Sequence, residues 1–391
     1  MIFSKVFERF VKGAPACVRP RTLMENIFAP EKLDAVFRGA AKVQYERELL
    51  FSTLVGLASQ VVCRVSANVR TAYLAQRKQI TVSIEAMYQK LRKVEPSTSR
   101  ALVQHTARQA GALIDRCKGS RKPLLKGYNT WILDGNHLGK TAHRLKVLRK
   151  TSAGALPGQS LVVLDPSRMV IADVILCEDA HAQERSLLSQ ILELAKPRDL
   201  WIEDRNFCRL AFLFGLMACK ACYRVRQHGR MPWKPLGKAR YVGLSETGRV
   251  DEQWIELCDP QTGRTTQVRR ITIRLKSPTR DGDAEIHLLT NLPLKVTAIA
   301  VAALYRKRWT LEQASNELTT HLRCELNTLG YPKAALFGFC VAVAAYNLLA
   351  ATKGALRGVH GEEKLEKEVS NFHLTNEINT VYGGMMVAIP P

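Results

Sequence analysis

Two apolar runs of the chain stop at an aspartate, in Ile132-Leu133-Asp134-Gly135-Asn136-His137 and in Ile202-Glu203-Asp204-Arg205-Asn206-Phe207. Both runs are typical of buried strands. A third segment, Tyr305 to Glu312, is typical of a helix that carries a glutamate. Acidic residues that end strands of one sheet can meet at a single edge of that sheet. We therefore expect the carboxylates of Asp134, Asp204 and Glu312 to converge.

Three converging carboxylates suit a site for two divalent metals. Metals held roughly 3.5–4 Å apart activate an attacking oxygen and stabilise the leaving oxygen of a phosphodiester. Mg²⁺ prefers oxygen ligands and keeps several waters, so a few carboxylates suffice. The sequence predicts two Mg²⁺ ions, with Mn²⁺ able to substitute, on Asp134, Asp204 and Glu312.

The charge of the chain indicates a polyanionic partner. Its 391 residues include 58 Lys and Arg against 35 Asp and Glu, a formal net charge of +23. An excess of this size attracts nucleic acid through phosphate neutralisation and counterion release. The chain is also 46% hydrophobic, which excludes a disordered basic tail.

The sequence pattern predicts an α/β protein with four segments. Residues 1–118 are typical of a helical DNA-binding domain, and strands alternating with helices follow in 119–226. Residues 227–290 favour a β-rich insertion, and 291–391 return to helices. The order of strands and acids is that of a ribonuclease-H-like mixed sheet with flanking helices, preceded by an all-helical N-terminal domain.

The third acidic segment has two distinct faces if it is helical. At about 100° per residue, five polar residues fall within an arc of about 60°: Tyr305, Arg308, Glu312, Thr319 and Arg323. A separate stripe of leucines can anchor the helix to a core. The glutamate thus lies beside cations and a phenol, an arrangement suited to a metal ligand flanked by phosphate-binding groups.

Here the chain resembles a known group of proteins. Tyr305, Arg308 and Glu312 match, in type and spacing, the Tyr-Arg-Glu-Lys signature of bacterial insertion-sequence transposases with an Asp-Asp-Glu active site, the group called insertion sequence family four. The segments around Asp134 and Asp204 resemble its two aspartate motifs. The resemblance spans about residues 122–350.

The resemblance implies a cut-and-paste transposase. In that group the three acids bind Mg²⁺, and the tyrosine and arginine hold the transposon end. Hydrolysis frees a 3′-hydroxyl that attacks target DNA, and studied relatives form a hairpin intermediate. The partners implied are double-stranded DNA, as inverted repeats and target, and a second copy of the chain in a synaptic homodimer. Lys140 and Arg144 belong to a basic run that we expect to lie near the DNA.

Three other functions remain open on the sequence. A transposase-derived protein could bind DNA without cutting it, and a nuclease or resolvase of the same fold could cut without joining. The third is a phosphate-loop ATPase, because Gly135 to Thr141 resembles such a loop and Leu161 to Asp165 resembles its second motif. The loop motif needs four residues between its glycines, and this chain has three.

The sequence also favours a cytoplasmic protein associated with the nucleoid. The start, Met1-Ile2-Phe3-Ser4-Lys5, lacks the plan of a secretory signal, and the 10 scattered cysteines indicate free thiols. Residues 334–351 carry no charge and approach the length of a membrane span. Their alanine-rich composition favours a helix buried inside the protein, with no membrane contact.

The signature lysine is replaced in this chain. Thr319 occupies its position, seven residues after Glu312, and Arg323 lies one helical turn further on the same expected face. If Arg323 takes over the lysine's phosphate contact, Thr319→Lys should change the rate of transposon-end cleavage little. A large gain in cleavage would show that Arg323 does not compensate.

Overall fold

The structure of the protein is a computed structural model. It describes residues 26–44, 46–138, 157–179, 182–259, 261–279, 282–307 and 331–370, together with residues 23, 314, 322–324, 326 and 374. Within these ranges the chain is a mixed α/β protein built on one ten-stranded sheet. The predicted α/β class is therefore confirmed.

The described residues form ten α-helices. They are α1 (Pro30–Ala40), α2 (Phe51–Val62), α3 (Val69–Ala75), α4 (Ile84–Lys93), α5 (Pro96–Arg116), α6 (Leu188–Leu192), α7 (Leu210–Ala218), α8 (Ala298–Lys307), α9 (Pro332–His360) and α10 (Glu362–Glu368). Short 3-10 turns cover Glu184–Leu187 and Arg205–Phe207.

The strands are β1 (Asn129–His137), β2 (Pro157–Asp165), β3 (Val170–Asp179), β4 (Asp199–Glu203), β5 (Cys222–Arg226), β6 (Lys234–Pro235), β7 (Arg240–Leu244), β8 (Gly248–Cys258), β9 (Thr265–Leu275) and β10 (Glu285–Thr290). Their order across the sheet is β3-β2-β1-β4-β5-β10-β9-β8-β6, and β7 pairs with β8. β1, β4 and β5 run parallel to one another, while the other neighbours are antiparallel.

Helices cover both faces of the sheet. One hydrophobic cluster joins β-strand residues such as Ile132 and Ile202 to helices α1–α5, α8 and α9. A second cluster packs Leu133 and Trp201 against α6 and α7 on the opposite face. We call the first the α9 face and the second the α7 face. The alternation of apolar residues along β1 and β4 supplies both cores, because successive side chains point to opposite faces.

The N-terminal described region is helical, as its apolar spacing predicts. The side chain of Ser83 caps α4 by accepting a hydrogen bond from the Ala86 N–H at 3.2 Å, and Asn68 caps α3 in the same way. Glu95 accepts hydrogen bonds from three successive backbone N–H groups, at residues 42–44, and so fixes the loop between α1 and α2. These helices share their core with α9 and the sheet.

Helix α9 is the uncharged segment predicted to be buried. Within the described part of the chain it is the one helix long and apolar enough to cross a membrane, and its most apolar stretch is 100% buried against other residues. At its C-terminal end it crosses the residues after α5 closely. A Cβ on Gly119 would lie 1.9 Å from the Gly354 carbonyl oxygen, so the crossing requires glycine.

Two expectations about the middle of the chain need adjustment. The apolar spacing of residues 181–196 predicts a helix, whereas the described part of this segment has a 3-10 turn followed by the five residues of α6. One cause is local: the Ser186 hydroxyl donates to the Gln183 carbonyl at 2.7 Å, which competes with regular helix bonding. The β-rich segment 227–290 contains the predicted strands, but they extend the central sheet, because β10 pairs with both β5 and β9.

The buried side chain of Asn347 generates a prediction. In α9 it accepts a hydrogen bond from the Ile171 N–H at 2.8 Å and donates one to the Ile171 carbonyl at 2.9 Å. Asn347→Leu keeps the branched shape of the side chain but leaves both backbone groups of Ile171 in β3 without these partners. We expect a loss of about 2–4 kcal/mol in the free energy of unfolding, measured by urea denaturation.

Thr352→Val on the same helix is the matched control. The Thr352 hydroxyl is also buried, but it donates only to the Leu348 carbonyl of its own helix. That substitution should cost less than about 1 kcal/mol. An equal loss in both variants would contradict the role given to Asn347.

Candidate functional site

The parallel pairing of β1 with β4 brings two of the three predicted acids together. Leu133 is the pairing partner of Glu203, and Asp134 and Asp204 are the next residues of their strands. Neighbouring strands lie about 4.8 Å apart. The two aspartates are therefore adjacent, although 70 positions separate them in sequence. Asp204 directly follows β4, whereas β1 does not stop at Asp134, as the sequence suggested, but continues to His137.

Both aspartates belong to the same face of the sheet. Ile132 and Ile202 precede them by two residues and lie in the core of the α9 face. Side chains two residues apart on a strand share a face. Both aspartates are partly exposed, and the Asp134 carboxylate accepts a hydrogen bond from the Gly135 N–H at 2.9 Å. The carboxylates can therefore reach a ligand from solvent.

A third side chain, that of Arg226 in β5, lies next to Asp204 on the same face of the sheet. Val225 of β5 pairs with Glu203, so Arg226 follows beside Asp204. Arg226 forms an ion pair with Asp283 in the loop between β9 and β10. Burial alone would lower the pKa of Arg226, but Tyr305, Asp283 and Asp204 together raise it. We call Asp134, Asp204 and Arg226 the strand-end row.

Sequence reasoning missed the two arginines of β5. The signal was present, because Cys222-Tyr223-Arg224-Val225-Arg226 alternates cation and apolar residue in the manner of a strand. Arg224 is fully buried, and its guanidinium carbon lies 4.6 Å from the centre of the Tyr305 ring. This cation–π contact places Tyr305, at the C-terminal end of α8, over the same sheet face as the two aspartates.

Of the remaining predicted site residues, the structure describes only Arg323. Glu312, Arg308, Thr319, Lys140 and Arg144 lie outside the described residues. Arg323 is described, and its guanidinium donates to the Ala67 carbonyl at 2.7 Å, in the turn between α2 and α3. This structural contact is not the phosphate contact suggested for Arg323 from the sequence, which stays a prediction.

Glu203 is next to Asp204 but faces the other way. It is fully buried on the α7 face, where neither carboxylate oxygen has a hydrogen-bond partner among the described residues. Burial raises the pKa of Glu203 well above its ordinary value, and the charge of Arg224 offsets only part of this effect. Burial therefore favours the neutral form of Glu203, and its side chain faces away from the two aspartates.

A further carboxyl group approaches the end of β1 from the opposite face. Gly135 packs directly against the Glu184 side chain, and a Cβ on Gly135 would lie 1.8 Å from Glu184 Oε1. A side chain at position 135 would displace the carboxylate end of Glu184, so glycine allows this close approach of Glu184 to β1. The sequence pattern gave no signal for Glu184, because its position depends on a long-range contact.

The donor set of the row fits a hard divalent cation. Mg²⁺ is held in proteins by one or two carboxylates, with waters and substrate phosphates completing its shell. Asp134 and Asp204 supply two such carboxylates at one edge. Among the described residues no group of three His, Cys, Asp or Glu side chains gathers into a metal site, and Glu312 is not among those residues.

The geometry of β1 and β2 argues against a phosphate-binding loop. Gly135, Asn136 and His137 pair with β2 as strand residues, whereas that loop would begin at Gly135. Asp165 closes a hairpin turn, where its carboxylate accepts from the Ser167 N–H at 2.9 Å and binds Arg168. In the described part of the chain, strand pairing therefore replaces the start of the loop, and Asp165 serves a turn instead of the second ATPase motif.

Comparison of the chain with models of known protein families, and with curated protein sequences, gives no match.

The buried carboxyl of Glu203 predicts a pH-dependent stability. Its folded-state pKa exceeds the unfolded value, so its contribution is intact below about pH 4.5 and is lost as pH rises. Glu203→Gln removes the ionisation. We expect equal stability of variant and wild type near pH 4.5 and a growing advantage of the variant above it, by at most about 1.4 kcal/mol per pH unit.

Thermal unfolding between pH 4.5 and 9 measures this difference. Glu363→Gln, at a position where the side chain is 85% exposed, is the control and should follow the wild type throughout. A constant gap between Glu203→Gln and wild type across the range would contradict a buried neutral acid.

Proposed function

We propose that the chain is a DNA transposase that cuts transposon inverted-repeat ends and joins them to target DNA by a cut-and-paste route. The observation that supports this most strongly is the pairing of Leu133 with Glu203, which makes Asp134 and Asp204 neighbours. A pair of acids predicted from two remote motifs lies where two-metal phosphodiester chemistry needs it.

We also propose a ribonuclease-H-like fold for the catalytic part. Two antiparallel hairpin connections, β1 to β2 and β2 to β3, are followed by β4 and β5 parallel to β1. The strand order β3-β2-β1-β4-β5, with one acid within β1 and the other directly after β4, supports this assignment. Helices on both faces of the sheet support it as well.

The proposed metal ligands are Asp134 and Asp204, with Glu312 as the third. Two bound Mg²⁺ ions would supply activation of the attacking oxygen and charge stabilisation of the leaving oxygen. The chain's own contribution is to hold the two carboxylates at a fixed separation on rigid strands. Adjacent carboxylates repel each other without a cation, so the row is arranged for cation binding.

Arg226 and Tyr305 are proposed to orient the DNA strand. Arg226 stands beside Asp204, and its second partner Asp283 is 38% exposed, so the guanidinium is held near solvent. A guanidinium next to metal-binding acids suits a phosphate oxygen. Tyr305, packed on Arg224, precedes Glu312 by seven residues and so links this part of the sheet to the third acid.

The net charge of +23 supports DNA as the partner. We propose that the N-terminal helices recognise the inverted repeats, and that two copies of the chain synapse two ends in the nucleoid. A protein that retains the DNA-binding surface without cleavage is the alternative, and the replacement of the signature lysine by Thr319 favours it. Nicking of a cognate end separates these two functions.

Substitution of either aspartate tests the proposal. Asp134→Asn and Asp204→Asn should each lower Mg²⁺-dependent nicking by about a hundredfold or more, because a ligand to the activating cation is lost. The substrates are duplexes that carry the inverted repeats flanking this reading frame. Affinity for the same duplexes, measured in EDTA, should remain within a few fold of wild type.

Glu203→Gln is the matched control, because Glu203 adjoins Asp204 and faces away from the row. It should nick at the wild-type rate. Mg²⁺ should also raise the melting temperature of the wild type and of Glu203→Gln but not that of Asp204→Asn. If the wild type binds these duplexes but never cuts them, the chain is a DNA-binding protein and the proposed transposase activity is wrong.

A further inference from the structure

The segment that leads from β10 into α8 is held by an unusual number of side-chain contacts. The Thr290 hydroxyl donates to the Tyr223 carbonyl at 2.6 Å, and the Asn291 amide donates to the Ala221 carbonyl at 2.9 Å. Both contacts fasten the segment to the start of β5. Thr297 then starts α8, where its hydroxyl accepts from the Ala300 N–H at 3.2 Å.

A single buried arginine adds most of the remaining contacts. Arg269 of β9 is 1% exposed, and its Nε donates to Glu252 Oε1 at 2.6 Å. Its Nη1 lies 3.2 Å from the Leu292 carbonyl, 3.1 Å from that of Pro293 and 2.8 Å from that of Val296. One guanidinium thus joins β8, β9 and the segment before α8.

Burial of this arginine is not explained by stability alone. A buried ion pair is often no more stabilising than apolar residues of similar volume, because both charges lose their hydration. A planar guanidinium, however, offers several donors in fixed directions, which a leucine or a lysine does not. The arrangement therefore specifies where the carbonyls at residues 292–296 lie.

Helix α8 connects the segment held by Arg269 to the neighbourhood of the strand-end row. Its first turn follows the anchored segment, and Ile299 packs where Gly243 of β7 leaves room. At its other end Arg306 pairs with Glu246 in the turn after β7, and Tyr305 lies over Arg224. The helix is thus docked on the strand extension and ends beside β5.

We propose that Arg269 is a positioning residue for the transposase site. Through Glu252 and the three carbonyls it sets the start of α8, and α8 sets the position of Tyr305 over the sheet face that carries Asp134 and Asp204. This inference rests on the proposed function for its catalytic consequence. Its structural part, the fixing of α8 by Arg269, stands on the contacts alone.

Three variants separate positioning from stability. Arg269→Lys keeps a charge for Glu252 but cannot reach the carbonyls as well, since the Glu252 and carbonyl contacts use different nitrogens of the guanidinium. Arg269→Met combined with Glu252→Met removes both buried charges and also leaves the carbonyls unbound. Arg274→Met on the same strand is the matched control, because Arg274 is 58% exposed and its partners are Glu285 and the buried Asp251, which Arg249 also binds.

Hydrogen exchange and single-turnover cleavage are the two measurements. In Arg269→Lys and in the double variant, amides of residues 296–307 should exchange at least tenfold faster than in wild type, while those of β1 and β4 are unchanged. The cleavage rate at saturating DNA should fall at least tenfold, with DNA affinity unchanged. Arg274→Met should match the wild type in both measurements.

The outcomes distinguish the inference from the proposed function. Unchanged exchange at residues 296–307 in both Arg269 variants would overturn the fixing of α8. Wild-type cleavage in the double variant once its melting temperature is restored would overturn positioning, since stability alone would then account for Arg269. A wild type that exchanges as expected but never cleaves would refute the proposed function and leave the fixing of α8 intact.

Discussion

Leu133 pairs with Glu203 in the parallel ladder of β1 and β4, and the strand-end row depends on the register of that pair. A slip of one residue would turn every side chain of a strand to the opposite face. Asp204 would then enter the α7 face, and Glu203 would replace it beside Asp134. The apolar alternation of Ile132, Leu133 and Ile202 opposes the slip, because each of these side chains is fully buried in its own core.

The same register forces the carboxyl group of Glu203 into the core, which is energetically unfavourable. Correct placement of Asp204 requires its neighbour to enter the α7 core, where no described group satisfies the carboxyl oxygens. Burial favours the neutral form of this acid, because it raises the pKa of Glu203. Buried cations on the other face have partners instead, namely the Tyr305 ring for Arg224 and the Glu252 carboxylate for Arg269.

Local patterns in the sequence predicted much of the fold. Apolar runs identified β1 and β4, and composition identified α9 as a buried helix. The sequence did not predict which strands pair when they lie far apart in the chain. The strands of 227–290 were expected as an insertion, but nothing in their periodicity indicated that β10 would join them to β5. Tertiary contacts also shortened the helix after residue 181, since periodicity does not register a turn that packs on Gly135.

The residues of the candidate site also differ in whether the sequence could predict them. Asp134 and Asp204 were identified because strand ends carry a local signal. Arg226 was not, because its significance comes from the neighbour that β5 acquires in the sheet. The arginine at position 269 had no sequence signal that separates it from Arg270 and Arg274, since only burial and partners distinguish the three.

The Asn347 amide bears on how two copies of the chain can associate. β3 is the outermost strand on its side of the sheet, and Asn347 occupies the outward N–H and C=O of Ile171. On the other side the edge consists of β6, which has two residues and contains Pro235, and of β7, which has five residues and a register shift at Tyr241–Gly243. Blunted edges of this kind resist strand addition by another chain. Self-association through a continuous intermolecular sheet is therefore disfavoured, and a dimer would have to form through helices or loops.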